Sequence, residues 1–301
     1  MAGTFRHSTG WHYFEGKLLS AFMALLRLFP HRLSLGLAGA VGAFVLAPLS
    51  GANRRTRENL ALVRPGMSAR ETRRFCRRVN DQSARAMIET FNVEEFLRHA
   101  EIAPLTGDGK ELISATLAAG KPVILVSGHF GNFHVVRVRM DRLGYPTAAI
   151  YRKMNNPYAN SVYVDNLNRL ARPNYERGPS GTRMLVRHLR QGHSIALLND
   201  QAILGGRRLK FFGRDALTAI SAAQMSLKYD ARIFPCYAIR LENGVDFRVE
   251  IEPPIEPGDP LAMTQALNDS LEAMVRRYPE QWFWLHRRWK TWGSTRADRS
   301  A

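Results

Sequence analysis

The sequence predicts an α/β fold with a mostly parallel central sheet flanked by helices. Short β-branched runs alternate with longer helical patterns through the second half of the chain, which is typical of a sheet wrapped by helices. The 301 residues are 45% hydrophobic and 23% charged, so the chain can bury a sizeable core. The predicted strands are 123–126, 147–151, 194–198, 232–239 and 246–251, and the predicted helices include 181–191, 220–229 and 261–278.

A membrane-associated helix is predicted near the N-terminus. Residues 33–49 contain no charged side chain, although this run is slightly shorter than the ~20 residues that span a bilayer. Arg27, Pro30 and Arg32 interrupt the apolar material before it, which argues against a cleaved signal peptide. We therefore expect a membrane-anchoring segment over residues 1–52 and an α/β domain over 53–301, and a glycine-rich helix buried in the core is the alternative.

The net charge of +17, supplied mostly by arginine, predicts an anionic partner. Nine arginines follow the apolar run between residues 54 and 78, which is typical of a cytoplasmic segment facing anionic lipid. Nucleic acid is not expected, because the sequence contains no recognisable nucleic-acid module. Cys76 and Cys236 are far apart and form no CxxC pattern, which indicates neither a disulfide framework nor a zinc site.

Three local patterns predict structure outside the strands. Ser68, followed three residues later by Glu71, predicts a capping box at the start of a helix. Residues 205–216 predict a basic, aromatic loop. Tryptophans cluster with basic residues over 279–292, a mixture that suits a membrane interface, although Trp282 and Trp284 could equally be core residues.

Two histidines flank a predicted strand-to-helix turn. The strand at 123–126 is broken by Ser127 and Gly128, and Asn132 is a plausible N-cap that places His134 in the first helical turn. Ordinary junction residues are the simplest interpretation of such histidines. However, parallel strands present their carboxyl ends along one edge, so His129, Arg152 and Asp200 are expected to meet there.

Five motifs in order resemble the lipid A biosynthesis acyltransferase family: HFGNFH, YRKMNNP, LLNDQ, KFFGRDALT and PEQWFWLHRRWK. The resemblance covers nearly the whole chain. It implies an enzyme on the cytoplasmic face of the inner membrane that moves a fatty acyl chain from acyl carrier protein, or from acyl-CoA, to a hydroxyl of a lipid A precursor or a related lipid. It also implies an H-x4-D/E catalytic motif and no cofactor or metal.

Acyl transfer to an alcohol needs a base for the hydroxyl proton and donors for the developing oxyanion. By resemblance His129 is the base and Asp200, with Gln201, matches the family's DQ pair. Arg152 would hold lipid phosphate or the developing charge, unless it forms a surface ion pair. The resemblance thus implies the catalytic residues His129, His134 and Asp200, and the substrate-binding residues Arg152, Asn132, Gln201, Arg214 and Arg287.

The sequence departs from the family pattern at His134, where Asp or Glu is expected. Neutral imidazole can accept a hydrogen bond but brings no negative charge, and a helix N-terminus favours the neutral form. Either His134 orients the base, or Asp200 supplies the missing carboxylate. The alternatives are a non-catalytic lipid-binding relative and an acyltransferase that acts on another acceptor, such as a lysophospholipid or an aminolipid.

Overall fold

The computed structural model describes residues 9–26 and 28–290 and contains a seven-stranded sheet and a separate two-stranded hairpin. The strands are β1 (Leu105–Thr106), β2 (Val123–Ser127), β3 (Thr147–Tyr151), β4 (Asn174–Glu176), β5 (Ser194–Leu198), β6 (Arg207–Phe211), β7 (Arg214–Thr218), β8 (Arg232–Arg240) and β9 (Phe247–Ile251). The large sheet has the order β1-β9-β8-β2-β5-β3-β4. All of its neighbouring strands are parallel except β8 and β9, so the predicted fold class is confirmed.

Helices precede the sheet and cover both of its faces. The N-terminal helices are α1 (Thr9–Leu26), α2 (His31–Val41) and α3 (Ala47–Leu49), with a π-helical turn over Gly42–Leu46 between the last two. The helices that follow are α4 (Ala52–Val63), α5 (Ala69–Phe91), α6 (Val93–Ala100), α7 (Lys110–Ala118), α8 (His134–Arg142), α9 (Pro157–Leu170), α10 (Pro179–Arg190), α11 (Ser221–Tyr229) and α12 (Pro260–Arg277).

Strand β2 shows how the helices pack on the sheet. Its residues Val123 and Leu125 belong to a core built with α6 to α9, whereas Ile124 and Val126 face a second core with α10 to α12. Side chains on alternate sides of β2 are therefore both buried. This alternation is what a fully buried strand requires.

The N-terminal apolar run is helical, as predicted, but it is neither fully buried nor isolated. One face packs against α5, where Gly39 and Gly42 permit a close approach because an added Cβ would meet Asp81 and Ala84. The run also exposes apolar side chains such as Leu33, Val45 and Leu49. By length and composition alone, His31–Leu49 could cross a membrane.

Several local predictions are confirmed and others are wrong. Ser68 and Glu71 form the expected capping box at the start of α5. Residues 205–216 are not a loop, because β6 and β7 form a hairpin. Its two turn residues, Phe212 and Gly213, both have positive φ, as a type I′ turn requires, and phenylalanine is an unusual residue there. The sequence patterns did not predict the short strands β1 and β4.

The C-terminal tryptophans pack in the interior. Trp282 and Trp284 are fully buried and contact each other edge-on, with ring centroids 4.8 Å apart. The membrane-interface interpretation is therefore wrong for these two residues, and the core alternative is confirmed. Trp292 lies outside the described residues.

Candidate active site

The site lies where β2 and β5 end side by side. The register pairs Ser127 with Leu198, so the residues that follow each strand emerge at the same edge of the sheet. His129 lies in the turn that follows β2, residues 128–133 (the His129 turn). Asp200 follows β5, and the His129 Nδ1 atom lies 2.7 Å from the Asp200 Oδ1 atom. The expectation that these two residues meet is confirmed by the geometry.

Asp200 accepts hydrogen bonds from three donors. Besides the His129 ring, they are the backbone N–H of His129 and the indole Nε1–H of Trp282, each 2.9 Å from the Oδ2 atom. Burial alone would raise the pKa of the Asp200 carboxyl, but the charge interaction with His129 and their hydrogen bonds outweigh it and hold the pKa below its ordinary value. Asp200 is therefore ionised, and His129 presents its Nδ1–H to the carboxylate and its Nε2 atom to the site.

Gln201, the other half of the DQ pair, lies on the opposite side of the His129 ring from Asp200. Its Nε2 atom lies 3.3 Å from His129 Nε2 and 2.6 Å from His286 Nε2. The rings of His129 and His286 meet edge-on, with centroids 4.9 Å apart. The His129 ring is thus flanked by a carboxylate at Nδ1 and by an amide at Nε2.

His134 occupies the first residue of α8 and is buried. Burial, with repulsion from Arg137 and His129, lowers its pKa to about 3, so it is neutral at ordinary pH. Neutrality was predicted, although burial is the main cause. In the part of the chain that the structure describes, no hydrogen bond joins the two histidine rings. Asp200, rather than His134, makes the contact with the Nδ1 atom of His129.

The side-chain amide of Asn132 forms hydrogen bonds that hold the His129 turn. Its Oδ1 atom accepts from the His134 N–H at 3.2 Å, close to the predicted N-cap role, although α8 is capped one residue later at Phe133. Its Nδ2 atom donates to Glu89 Oε2 at 2.9 Å. Glu89 in turn forms a fully buried ion pair with Arg240, which joins α5 and β8 to the turn.

A cavity of about 670 Å³ opens beside His129, and most of its surface is apolar. Its walls come from the N-terminal helices, α5, the His129 turn, the segment after β3, and the C-terminal segment. Lining residues include Leu46, Met87, Phe91, Phe133, His134 and Met154.

Arg152 also lines this cavity and is exposed. Within residues 9–26 and 28–290 its side chain forms no ion pair or hydrogen bond. The surface ion pair that was the alternative for Arg152 is therefore not observed in this part of the chain. The guanidinium has room to bind a ligand at the rim of the cavity.

Two predicted substrate-binding arginines are not among the residues that line this cavity. Arg214 lies in the hairpin, and its Nε donates to the Leu62 carbonyl at 2.6 Å. Arg287 is exposed and lies 3.9 Å from a Glu58 carboxylate oxygen. Both side chains contact α4 instead.

Sequence reasoning did not assign Trp282 and His286 to the site. Both lie in the C-terminal run, which contacts the His129 turn through a bridge between Phe130 and Trp282. No periodicity links positions so distant in sequence, and the only signal was their place in the PEQWFWLHRRWK motif. A buried tryptophan N–H requires an acceptor, and Asp200 provides it.

The buried neutral state of His134 predicts a pH dependence of stability. Between about pH 3 and its ordinary pKa of 6.5, the unfolded chain binds a proton at His134 that the folded protein excludes. The free energy of unfolding therefore falls as pH decreases below 6.5, by about 1.4 kcal/mol per pH unit for this group. When thermal unfolding is measured in detergent at pH 4.5, 5.5 and 6.5, His134→Leu should lose less stability on acidification than the wild type. The exposed-residue control Leu227→Ala removes no titrating group and should keep the wild-type slope, and a wild-type slope for His134→Leu would contradict the assignment.

The fold and site together define a class of enzyme. A His–Asp pair at the carboxyl edge of an α/β sheet, next to a mostly apolar cavity, is suited to activating a hydroxyl for attack on an acyl group. The family model described as bacterial lipid A biosynthesis acyltransferase matches residues 3–291, and the chain belongs to that family. It is therefore an acyltransferase.

The chain is similar to curated acyltransferases over most of their length. A phosphatidylinositol mannoside acyltransferase of Mycolicibacterium smegmatis is 26% identical over 281 residues, which cover 88% of each chain. A lipid A biosynthesis acyltransferase of Haemophilus influenzae is 22% identical, covering 88% of this chain and 84% of its own. A lipid A biosynthesis myristoyltransferase of Escherichia coli is 23% identical, covering 96% of this chain and 90% of its own. These relatives support a lipid as the acceptor.

Proposed function

We propose that this protein transfers a fatty acyl chain from a thioester donor, acyl carrier protein or acyl-CoA, to a hydroxyl of a lipid A precursor or a related lipid. The observation that carries the proposal is the pairing of His129 with the buried carboxylate of Asp200 beside a mostly apolar cavity. The relatives are named for two lipids, lipid A and phosphatidylinositol mannoside, which supports a lipid acceptor without selecting one.

In the proposed reaction the acceptor hydroxyl lies at His129 Nε2. Its oxygen attacks the thioester carbonyl carbon while His129 takes its proton, and the carbonyl π electrons move to the oxygen to form an oxyanion. The tetrahedral intermediate then collapses, breaks the carbon–sulfur bond and expels the thiolate, which takes the proton from His129. Asp200 stabilises the imidazolium formed between these two proton transfers.

The cavity suits the acyl chain of the donor, and Arg152 suits a phosphate group of either substrate. The apolar walls suit an acyl chain, which lowers its free energy by leaving water. Arg152 has no partner among the described residues and carries a fork of donors suited to phosphate. We infer that it binds a phosphate of the donor or of the lipid acceptor.

Purified protein in detergent tests the proposed function. It would be offered palmitoyl-acyl carrier protein or palmitoyl-CoA together with a lipid A precursor or a lysophospholipid, and products would be detected by mass spectrometry. We expect one acceptor to gain the mass of one acyl chain, with loss of an equal amount of thioester. Saturable lipid binding without any acylated product would instead indicate the non-catalytic lipid-binding alternative.

We propose that residues 1–52 seat the enzyme on the cytoplasmic face of the inner membrane and that 53–301 form the acyltransferase domain. The N-terminal helices pack on α5 through one face and expose apolar side chains on the other. Arginines on α4 and α5 follow directly, including Arg77, whose guanidinium lies 5.1 Å from the centre of the Phe44 ring. Apolar burial and attraction to anionic headgroups together support this seat.

The exposed leucines predict how membrane binding can be weakened. Leu28 is 78% exposed and Leu49 is 82% exposed, so each should bury apolar surface only in a bilayer. The variant Leu28→Glu with Leu49→Glu should bind phosphatidylglycerol vesicles at least about 10-fold more weakly in a sedimentation assay. Losing this apolar burial costs at least about 1.4 kcal/mol of binding free energy, which corresponds to a tenfold change in the binding constant. Leu227→Glu, on α11, is the matched control and should bind like the wild type. Equal binding by all three proteins would contradict the proposed membrane face.

A further inference from the structure

His286 lies on a segment that is fixed against the His129 turn. The Phe283 N–H donates to the His129 carbonyl at 2.9 Å, and Phe130 and Trp282 form an antiparallel bridge. On the other side, the side-chain amide of Asn59, in α4, donates to the backbone carbonyl of His286 at 2.6 Å and to that of Trp284 at 2.7 Å. The backbone that carries His286 is thus held from two directions, and its ring has a defined position beside the base.

The hydrogen bonds assign the orientation of the Gln201 amide. In its proposed role as the base, His129 donates its single ring proton to Asp200, so its Nε2 atom can only accept. The group facing it must be a donor, which is the Gln201 NH₂. The second hydrogen of that NH₂ then points to His286 Nε2, 2.6 Å away, which must also be an acceptor. His286 is accordingly neutral and protonated on its Nδ1 atom.

A neutral His286 is consistent with its surroundings. Burial lowers its pKa to about 4, and repulsion from His129 and Arg55 acts in the same direction, against the attraction of Asp200. Its Nε2 atom, the ring nitrogen that faces Gln201, is then an acceptor and carries no proton to give to the leaving thiolate. His286 therefore acts through Gln201 rather than as a second acid.

We propose that His286 is a positioning residue that orients the Gln201 amide so that one of its N–H groups donates to the thioester oxygen as negative charge develops. This inference rests on the proposed acyl transfer. In the resting site that N–H faces His129 Nε2, at the longer distance of 3.3 Å. When the acceptor hydroxyl occupies Nε2, the N–H is released to the neighbouring oxyanion, while the shorter bond to His286 keeps the amide in place.

The substitutions His286→Leu, His286→Gln and Gln201→Leu, with the double variant His286→Leu/Gln201→Leu, test this role in the purified full chain. Palmitoyl-acyl carrier protein and lipid A precursor would be the substrates. Loss of one oxyanion donor costs about 10²–10³-fold in kcat, so Gln201→Leu should fall in that range. His286→Leu should lower kcat at least about 10-fold with little change in KM. Glutamine can place an acceptor near the former Nε2 position, so His286→Gln should recover most of the loss.

Because His286 acts through Gln201, the double variant should be no slower than Gln201→Leu alone. A His286→Leu protein with the wild-type kcat, or losses that multiply in the double variant, would overturn the inference. The unfolding temperature of each variant distinguishes a loss of kcat from misfolding. The double variant and Gln201→Leu should unfold at equal temperatures, so their kcat values can be compared directly. His188→Leu, a half-buried histidine bonded to the Pro146 carbonyl, is the matched control and should keep its activity. A wild-type protein without turnover would overturn the proposed function as well as this inference.

Discussion

Replacing His129 with alanine is expected to reduce acyl transfer to near the background rate. A positioned general base contributes about 10²–10⁴-fold, and the Nε2 atom of His129 is the ring nitrogen left free by the bond to Asp200. Initial rates with palmitoyl-acyl carrier protein and a lipid acceptor would measure the loss. The substitution removes a half-buried ring at the cavity, so lipid binding and the unfolding temperature should change little.

His193→Leu is the matched control for this experiment, because His193 is an exposed histidine that follows α10. It should retain the wild-type rate. Full turnover by His129→Ala would contradict the assignment of the base, whereas equal loss in both variants would indicate that the assay reports protein quality rather than catalysis.

Replacing Asp200 with asparagine is expected to lower kcat nearly as much as replacing His129. In the serine-protease example, the corresponding aspartate-to-asparagine change costs about 10⁴-fold because the histidine is held in the wrong tautomer. The introduced amide could donate to the Nδ1 atom of His129 and thereby move the ring proton to Nε2, where the base must accept. The Trp282 N–H and the His129 backbone N–H would still hold the substituted side chain in place through its oxygen.

The substitution His134→Gln separates the role of Asp200 from that of His134. His134 has no hydrogen bond to the base among the described residues, so His134→Gln should retain kcat within about 10-fold of the wild type. Steady-state kinetics of this variant and Asp200→Asn side by side would measure the difference. A larger loss in His134→Gln than in Asp200→Asn would show that the carboxylate of Asp200 is not the partner of the base.

The part of the site that follows from strand order could be predicted from sequence. His129 and Asp200 each follow a short apolar strand, and parallel strands bring such positions to one edge. The residue ranges of β3 and β5 were predicted without error. Correct strand ends place the segments that follow them at the same edge, including the one that carries Arg152.

The contacts between distant segments could not be predicted in the same way. The Trp282 N–H meets Asp200 only because tertiary packing joins separate parts of the chain. The buried pair of Glu89 and Arg240 likewise joins a helix to a strand with no common sequence pattern. Arg214 shows the opposite case. Its motif lies near the site, but its side chain donates to the Leu62 carbonyl in α4.

Acyl transfer to a lipid by His129 and Asp200 together is tested most directly by mass spectrometry of total lipids. The samples would come from cells that lack this chain and from the same cells carrying the wild type or Asp200→Asn. We expect one lipid class to lack a single acyl chain in the deficient cells, to regain it with the wild type, and to stay deficient with Asp200→Asn. Lipids that are identical in all three strains, or restored equally by Asp200→Asn, would contradict the proposed catalytic pair.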